Sequence, residues 1–419
     1  MIETVKGARD ILPDEIPRWH FVEAAARATF ERYGFREIRT PIFESTALFM
    51  RGIGEETDIV TKEMYTFLDR KGRSLTLRPE ATAPVARAYI QHQMQRTADV
   101  ERLYYIGPMF RYERPQKGRM RQFSQIGVEV LGSEHPAIDA ETLEMLMAFL
   151  DALAIAPVEL VLNSVGCEDC RPAYREALVR YLEPHRVSLC EDCRRRLDTN
   201  PMRCFDCKVP ADRELMAGAP AISNYLCSGC REHFAQVRAY LDAFGVPYVL
   251  DPRLVRGLDY YRRTAFEVTQ PGLGAQNAVL GGGRYDGLVQ DLGGPPAPGF
   301  GFAVGEDRLI LSLPQGSPVP DDAPDVYVVA LGEAAVAEAL LLGRRLRRRQ
   351  MRVVFDPLPD KSLKGHMRRA NDRRARSVMI LGDKEVAGGL VTLKRMSDGA
   401  QEAFPKGDLE ARIGELVRG

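Results

Sequence analysis

The sequence predicts an α+β protein: a first domain with an antiparallel sheet, a cysteine-rich insertion within it, and a small C-terminal α/β domain. Short strand-like segments in the first 300 residues are joined by tight loops, which is typical of antiparallel pairing. All eight cysteines lie within residues 166–232. After a proline-rich stretch at 314–324, strand and helix patterns alternate, which favours a mostly parallel core.

We therefore expect a first domain at 1–320, interrupted by the insertion at 166–232, and a second domain at 325–419. In the first domain, the patterns predict helices over 18–33 and 136–153 and strands at 35–41, 63–68, 74–77, 103–112, 122–131, 264–269 and 277–280. In the second, they predict strands at 326–331, 353–355, 378–381 and 391–394 and helices over 333–350 and 363–375.

The charges are balanced overall but uneven along the chain. The 58 basic and 58 acidic residues give a net charge of zero, whereas residues 325–419 hold 19 basic and 13 acidic residues, a net of +6. This excess is compatible with RNA contact or with an ordinary solvated surface. The first residues lack a secretory pattern, and no apolar run is long enough to span a bilayer, so we expect a cytoplasmic protein without a membrane partner.

The most informative segment is 107–129, where two strand patterns flank a basic loop. Arg111 is placed in the first strand, where an unpaired guanidinium is costly unless it meets an anion. Five basic residues between 111 and 121 suit a triphosphate or an RNA backbone. Gln125 and Glu129 are four apart on the second strand and so share one face, which is either a ligand pocket or a solvated surface.

This segment resembles motif 2 of class II aminoacyl-tRNA synthetases. Residues 297–309, a glycine-rich strand entering a helix with Arg308, resemble their motif 3, and the unit ending at 40–44 is similar to motif 1, which forms the family's dimer interface. Residues 254–261 (LVRGLDYY) and 281–288 (GGGRYDGL) resemble signatures of the histidyl-tRNA synthetases, and 76–82 their amino-acid-binding loop. The C-terminal domain looks like the family's anticodon-binding domain.

The resemblance implies a homodimeric ligase that joins L-histidine to tRNA-His, with ATP and Mg²⁺ as cofactors. It implies histidine-binding roles for Glu80, Thr82, Gln125, Glu129, Tyr260 and Tyr261. It implies α-phosphate contacts for Arg111 and Arg256, and further ATP contacts for Glu113, Phe123 and Arg308. Arg114 and Gln116 would approach the tRNA acceptor end.

Alternatives to these roles remain open from the sequence. Tyr260 and Tyr261 also fit ordinary core aromatics, and Arg256 also fits half of a structural ion pair. A related class of protein serves as a regulatory subunit of histidine biosynthesis without aminoacylation activity. Such a subunit should lack the C-terminal domain and some of the arginines, and both are present here.

The insertion contains four C-x-x-C pairs: Cys167/Cys170, Cys190/Cys193, Cys204/Cys207 and Cys227/Cys230. Two such pairs supply four thiolates to one tetrahedral zinc ion, so four pairs predict one or two structural zinc sites. The alternative is a set of buried free thiols or redox-labile pairs. The family resemblance gives the zinc no support.

Overall fold

The computed structural model describes residues 2–54, 57–116, 118–270, 278–358 and 361–418, with the backbone alone for 415–418. They divide into two units, Met1–Pro320 and Asp321–Gly419. The predicted strand at 277–280 begins at Asn277, and the basic loop includes Lys117; both residues lie outside the described ranges.

The first unit contains two sheets. Its strands are β1 (Arg36–Glu37), β2 (Phe43–Ser45), β3 (Tyr65–Leu68), β4 (Ser74–Leu77), β5 (Glu101–Phe110), β6 (Gln122–Leu131), β7 (Glu159–Ser164), β8 (Val249–Leu250), β9 (Arg262–Thr269), β10 (Ala278–Arg284) and β11 (Gly299–Gly305). The large sheet has the order β1-β5-β6-β11-β10-β9-β7-β8 and is antiparallel except at its two edge pairs; β2-β4-β3 form a small antiparallel sheet. The predicted antiparallel architecture is confirmed.

The helices of this unit are α1 (Ile16–Arg32), α2 (Thr46–Ile53), α3 (Thr82–Gln91), α4 (Pro136–Ala152), α5 (Arg171–Leu182), α6 (Glu191–Thr199), α7 (Pro210–Ala217), α8 (Ser228–Phe244), α9 (Leu288–Asp291) and α10 (Glu306–Ser312). The predicted helices at 18–33 and 136–153 match α1 and α4 to within two residues. The cysteine-rich insertion folds as α5 to α7 and the first turns of α8.

Helices α1 and α4 cover one face of the large sheet, whereas α3 and α9 pack on part of the other face and leave a cleft beside them. Phe30 of α1 and Phe149 of α4 pack in one core with Val128 of β6 and Phe300 of β11. Because side chains alternate along a strand, Ile126, Val128 and Val130 of β6 enter this core, and Gln125 and Glu129 point to the opposite face. Both of these side chains are buried and line one cleft.

The second unit comprises β12 (Val326–Ala330), α11 (Glu333–Arg348), β13 (Val353–Phe355), α12 (Leu363–Asp372), β14 (Ser377–Leu381), α13 (Asp383–Gly388), β15 (Leu390–Arg395), β16 (Gln401–Pro405) and α14 (Leu409–Arg418). Its sheet order is β13-β12-β14-β15-β16. The three core strands are parallel, as predicted, whereas β15 and β16 add an antiparallel edge.

Within the described residues, no helix is long and apolar enough to cross a membrane.

Candidate active site

A cleft of about 620 Å³ opens on the face of the large sheet opposite α1 and α4. Ten of the residues predicted for histidine or ATP line it: Glu80, Thr82, Arg111, Glu113, Gln125, Glu129, Arg256, Tyr260, Tyr261 and Arg308. Three predicted residues do not. Phe123 lies beneath the guanidinium of Arg111, and Arg114 and Gln116 lie in the loop between β5 and β6, where Gln116 lines a separate cavity.

Glu129 is the buried acid of the cleft, with 1% of its surface exposed. One carboxylate oxygen accepts a hydrogen bond from the Thr82 hydroxyl at 2.7 Å, and the other accepts one from the Tyr285 hydroxyl. The second oxygen lies against Gly301 of β11, where a Cβ atom would clash with it. Burial raises the pKa of Glu129 to about 8, although both hydrogen bonds lower it.

A second buried acid lies at the start of α3. The carboxylate of Glu80 accepts hydrogen bonds from the backbone N–H groups of Thr82 at 2.6 Å and Ala83 at 3.1 Å. Burial raises its pKa. The side-chain oxygen of Gln125 is buried nearby without a hydrogen-bond partner among the described residues, so the cleft presents it as a vacant acceptor.

Arg111 does not lie within a strand, which corrects the prediction. Strand β5 ends at Phe110. The next residue, Arg111, still donates a backbone hydrogen bond to the carbonyl oxygen of Arg121, and beyond it the pairing with β6 ends. The Arg111 side chain is fixed instead by a hydrogen bond from Nε to the carbonyl oxygen of Pro79 at 2.8 Å and by the ring of Phe123, 5.4 Å away. Its remaining guanidinium nitrogens are available to the cleft.

Arg256 reaches the cleft from the loop that precedes β9. Its guanidinium forms an ion pair with Glu267 and lies 5.8 Å from the ring of Tyr261. It rests directly on Gly281, where any Cβ atom would overlap it, so the glycine of the 281–288 segment makes room for the arginine. The predicted alternative of a structural ion pair therefore describes a real contact, but one made on the wall of the cleft.

Arg308, at the start of α10, donates a hydrogen bond to the carbonyl oxygen of Ala278. Burial lowers its pKa, and the positive charge of Arg119 lowers it further. An anion bound between these two arginines would relieve both costs.

Three tyrosines form the floor of the cleft. The rings of Tyr260 and Tyr261 are 4.7 Å apart, and those of Tyr260 and Tyr285 meet edge to face at 5.6 Å. Tyr285 was not among the predicted site residues. The sequence feature that could have identified Tyr285 was its position within residues 281–288. Its contact with Glu129, however, joins residues 156 positions apart and depends on how the strands pair.

The insertion also forms part of the cleft wall, through residues that include Cys190, Arg196 and Cys207. The insertion holds the loop before Tyr260 in place: Arg203 donates to the carboxylate of Asp259 at 3.0 Å and to the carbonyl oxygen of Gly257 at 2.8 Å.

The cysteines gather in two clusters. The first cluster is Cys167, Cys170, Cys227 and Cys230; the second cluster is Cys190, Cys193, Cys207 and Asp212. Within each, one ligand atom per residue lies within 4.8 Å of all the others. The predicted metal ligand Cys204 is absent from both: its thiol lies 3.7 Å from the carbonyl oxygen of Cys193, and Asp212 takes the fourth position. The residues present could therefore hold a metal, with one ligand changed.

Known proteins match both units of this chain. A family model described as Histidyl-tRNA synthetase matches residues 7–309. The chain belongs to the histidyl-tRNA synthetase family. A second model, described as Anticodon binding domain, matches residues 325–416.

Relatives within the histidyl-tRNA synthetase family match over nearly their full length. The chain is 51% identical to a Histidine–tRNA ligase of Syntrophotalea carbinolica over 418 residues, covering 100% of this chain and 99% of the relative. It is 52% identical to one of Koribacter versatilis, covering 98% and 95%. A crystal structure of apo histidyl-tRNA synthetase from S. aureus superposes with a TM-score of 0.81 at 38% identity, with all of both chains covered.

Proposed function

We propose that this protein is a histidine–tRNA ligase, which activates L-histidine with ATP to histidyl-adenylate and transfers it to the 3′ end of tRNA-His. The observation that supports it most is the cleft in which the buried Glu129 faces the arginines of motif 2 and of the 254–261 segment. The full-length relatives named Histidine–tRNA ligase point the same way. A regulatory subunit without aminoacylation activity is the weaker alternative, since the arginines and the anticodon-binding domain are both present.

Histidine would bind with its ammonium group at one end of the cleft and its imidazole at the other. Glu80, Thr82 and Gln125 would hold the ammonium, and the unpartnered Gln125 oxygen supplies an acceptor for it. Glu129 and the Tyr261 hydroxyl would each pair with one imidazole nitrogen, while Tyr260 lines the pocket. A site that pairs both nitrogens rejects side chains that lack them, because its own buried polar groups would be left unpaired.

ATP would bind across the arginines. Arg111 and Arg256 would contact the α-phosphate, Arg308 the γ-phosphate, and Glu113 and Phe123 the adenine. ATP would enter as its Mg²⁺ complex, in which the ion neutralises phosphate charge.

In the first step, a carboxylate oxygen of histidine forms a bond to the α-phosphorus and the bond to the bridging oxygen of diphosphate breaks. In the second, a hydroxyl of the terminal ribose attacks the carbonyl carbon, and AMP leaves. Negative charge builds up on the α-phosphoryl oxygens in the first step, and fixed guanidinium groups stabilise it without reorganisation.

The tRNA would be held at two places. Arg114 and Gln116 in the loop after β5 would approach the acceptor end, and the second unit would bind the anticodon. We further propose a homodimer, supported by exposed apolar side chains in and beside the small sheet, among them Ile42, Phe43 and Phe67. A cytoplasmic location is supported by the eight cysteines, none of which forms a disulfide, because a reducing compartment prevents disulfide formation.

The assignment is tested by ATP–diphosphate exchange with each of the twenty amino acids. We expect histidine alone to drive exchange, because the paired imidazole acceptor and donor have no other match among the side chains. Equal exchange with any other amino acid would refute the proposed substrate. Exchange without subsequent charging of tRNA-His would refute the second step alone.

Basic residues of α11 should matter for tRNA and not for histidine activation. Arg344, Arg347 and Arg348 of α11 and the following Arg349 are exposed; Arg347 donates to the carbonyl oxygen of Val353, and the half-buried Arg345 is paired with Glu410 within the unit. Replacing Arg344, Arg348 and Arg349 by glutamine should weaken tRNA charging, with a reduced salt dependence of tRNA binding, because phosphate contacts are lost. Exchange should remain as in the parent protein.

Arg345→Gln is the matched control for that variant, since it removes a charge from the same helix at a position engaged in an internal ion pair. The Arg345→Gln variant should have a lower melting temperature than the parent protein but nearly the same affinity for tRNA. Undiminished charging in the triple variant would instead identify this surface as an ordinary solvated helix face.

A further inference from the structure

The two clusters have the spacing of metal sites and not of disulfides. Cys167 Sγ lies 3.6 Å from Cys170 Sγ and 3.8 Å from Cys227 Sγ, and Cys190 Sγ lies 3.8 Å from Cys207 Sγ. A Zn–S bond of about 2.3 Å gives a tetrahedral S–S edge of about 3.8 Å, whereas a disulfide bond is about 2.0 Å long. These three thiol pairs are spaced like the edges of a zinc–thiolate tetrahedron, and every other pair of ligand atoms in each cluster lies within 4.8 Å.

Backbone amides are aimed at the sulfur atoms. Cys190 and Cys227 each precede a helix, and their Sγ atoms accept hydrogen bonds from the N–H groups of Cys193 and Cys230, both at 3.4 Å. In the first cluster, the N–H of Cys227 also donates to Cys170 Sγ at 3.1 Å. Such donors stabilise a thiolate more than a neutral thiol, so they are the outer contacts that a metal-bound cysteine requires.

The second cluster contains the buried carboxylate of Asp212, whose surroundings favour a bound cation. Asp212 is 2% exposed and lies 3.3 Å from the thiol of Cys207, and it accepts a hydrogen bond from the N–H of Cys190 at 3.2 Å. No ion pair of Asp212 with a basic side chain is found in the part of the chain that the structure describes. A buried charge without a counter-charge is costly, and a divalent cation among three thiolates would supply one.

We propose that each cluster binds one zinc ion, so that the chain carries two structural zinc sites with different ligand sets. The first site has four thiolates; the second has three thiolates and the Asp212 carboxylate. Cys204 is not a ligand, although the C-x-x-C pattern includes it.

The second zinc site has a consequence for the active cleft, which rests on the proposed function. Its ligands Cys190 and Cys207 line that cleft, and they bracket the segment with Arg203, which holds Gly257 and Asp259. The bound metal fixes this segment, and the segment fixes the loop that presents Arg256, Tyr260 and Tyr261. The metal is therefore structural but lies next to the chemistry.

The test is the zinc content of the full chain, purified under reducing conditions and measured by elemental analysis. We expect two zinc ions per chain in the parent protein, one in Cys207→Ala, one in Cys227→Ala, and two in Cys204→Ala. Cys204 and Cys207 belong to the same C-x-x-C pair and are both buried, so Cys204→Ala is a matched control for loss of a buried thiol. Hydrogen–deuterium exchange of residues 254–261 should rise in Cys207→Ala and not in Cys204→Ala.

If a ligand variant fails to fold, a second measurement on the intact protein still tests the proposal. With Co²⁺ in place of zinc, the sulfur-to-metal charge-transfer absorption scales with the number of thiolate ligands, so seven are expected and Cys204→Ala should not change the band. A band for eight thiolates, or loss of a metal ion in Cys204→Ala, would overturn the assignment of Asp212. A parent protein with no zinc that fails to take up Co²⁺ would overturn both sites. None of these results depends on aminoacylation, so they remain separate from the test of the proposed function.

Discussion

Replacing Arg256 by alanine should slow histidyl-adenylate formation by about 10²-fold or more, as expected when a preorganised charge donor is removed. The side chain is held by Glu267 and by the flat surface of Gly281, so its position is fixed before ATP arrives. Arg111→Ala should have an effect of the same order, since its Nε is anchored on Pro79 and its other nitrogens face the cleft. Single-turnover formation of the adenylate measures both.

The controls separate chemistry from folding. Transfer from preformed histidyl-adenylate to tRNA should suffer less than adenylate formation, because the attack is then on the carbonyl carbon, the phosphorus forms and breaks no bond, and the phosphate gains charge only as the departing AMP. Glu267→Gln keeps Arg256 but removes its counter-charge, and should slow adenylate formation much less than Arg256→Ala does. If both steps fell equally, or if Glu267→Gln were as slow as Arg256→Ala, Arg256 would be a structural residue and not a phosphate ligand.

Much of this site was predictable because strands impose a period of two. The alternation in β6 gives the common face of Gln125 and Glu129 from sequence alone, and the same rule sends Val128 to the core. The helical period located α1 and α4, whose apolar positions recur over 17 residues each.

The missed features depend on contacts distant in sequence or on weak local patterns. Helix α3 was not predicted, since its first turn contains Pro84 and three of its seven buried residues are small alanines, which give little periodic contrast. Asp212 follows no spacing rule for metal ligands and is brought to the thiols by the fold of the insertion. The hydroxyl of Tyr285 reaches Glu129 only because β10 and β6 both pair with β11.

Replacing Glu129 by glutamine should lower kcat/KM for histidine by about 10- to 100-fold at high pH. A hydrogen bond to a charged group contributes about 1.5–3 kcal/mol, and the amide replaces the carboxylate with a neutral acceptor of the same shape. The loss should appear mainly in KM, because imidazole recognition is made equally in the ground state and the transition state. An unchanged KM and kcat would exclude Glu129 from the histidine site.

The pH dependence of this loss follows from the raised pKa of Glu129, about 8. Below that pH the carboxyl group is mostly protonated and neutral, so the parent protein gains little over the amide; above it, the carboxylate provides the full charge-assisted bond. The ratio of parent to Glu129→Gln kcat/KM should therefore rise from pH 7 to pH 9, with its midpoint near pH 8, and level off above about pH 9. Using the ratio cancels the titration of histidine itself, which both proteins share.

The Tyr285→Phe variant tests whether the hydrogen bond from Tyr285 sets the pKa of Glu129 or whether Tyr285 only packs against it. The Tyr285 hydroxyl donates to Glu129 and lowers its pKa. The ratio of kcat/KM for Tyr285→Phe to kcat/KM for Glu129→Gln should therefore have its midpoint at a higher pH than the ratio for the parent protein. A packing defect alone would raise KM by the same factor at every pH and leave the midpoint where it was. A ratio that does not vary between pH 7 and pH 9 in either protein would show that Glu129 meets the imidazole in a single protonation state, contrary to the burial that raises its pKa.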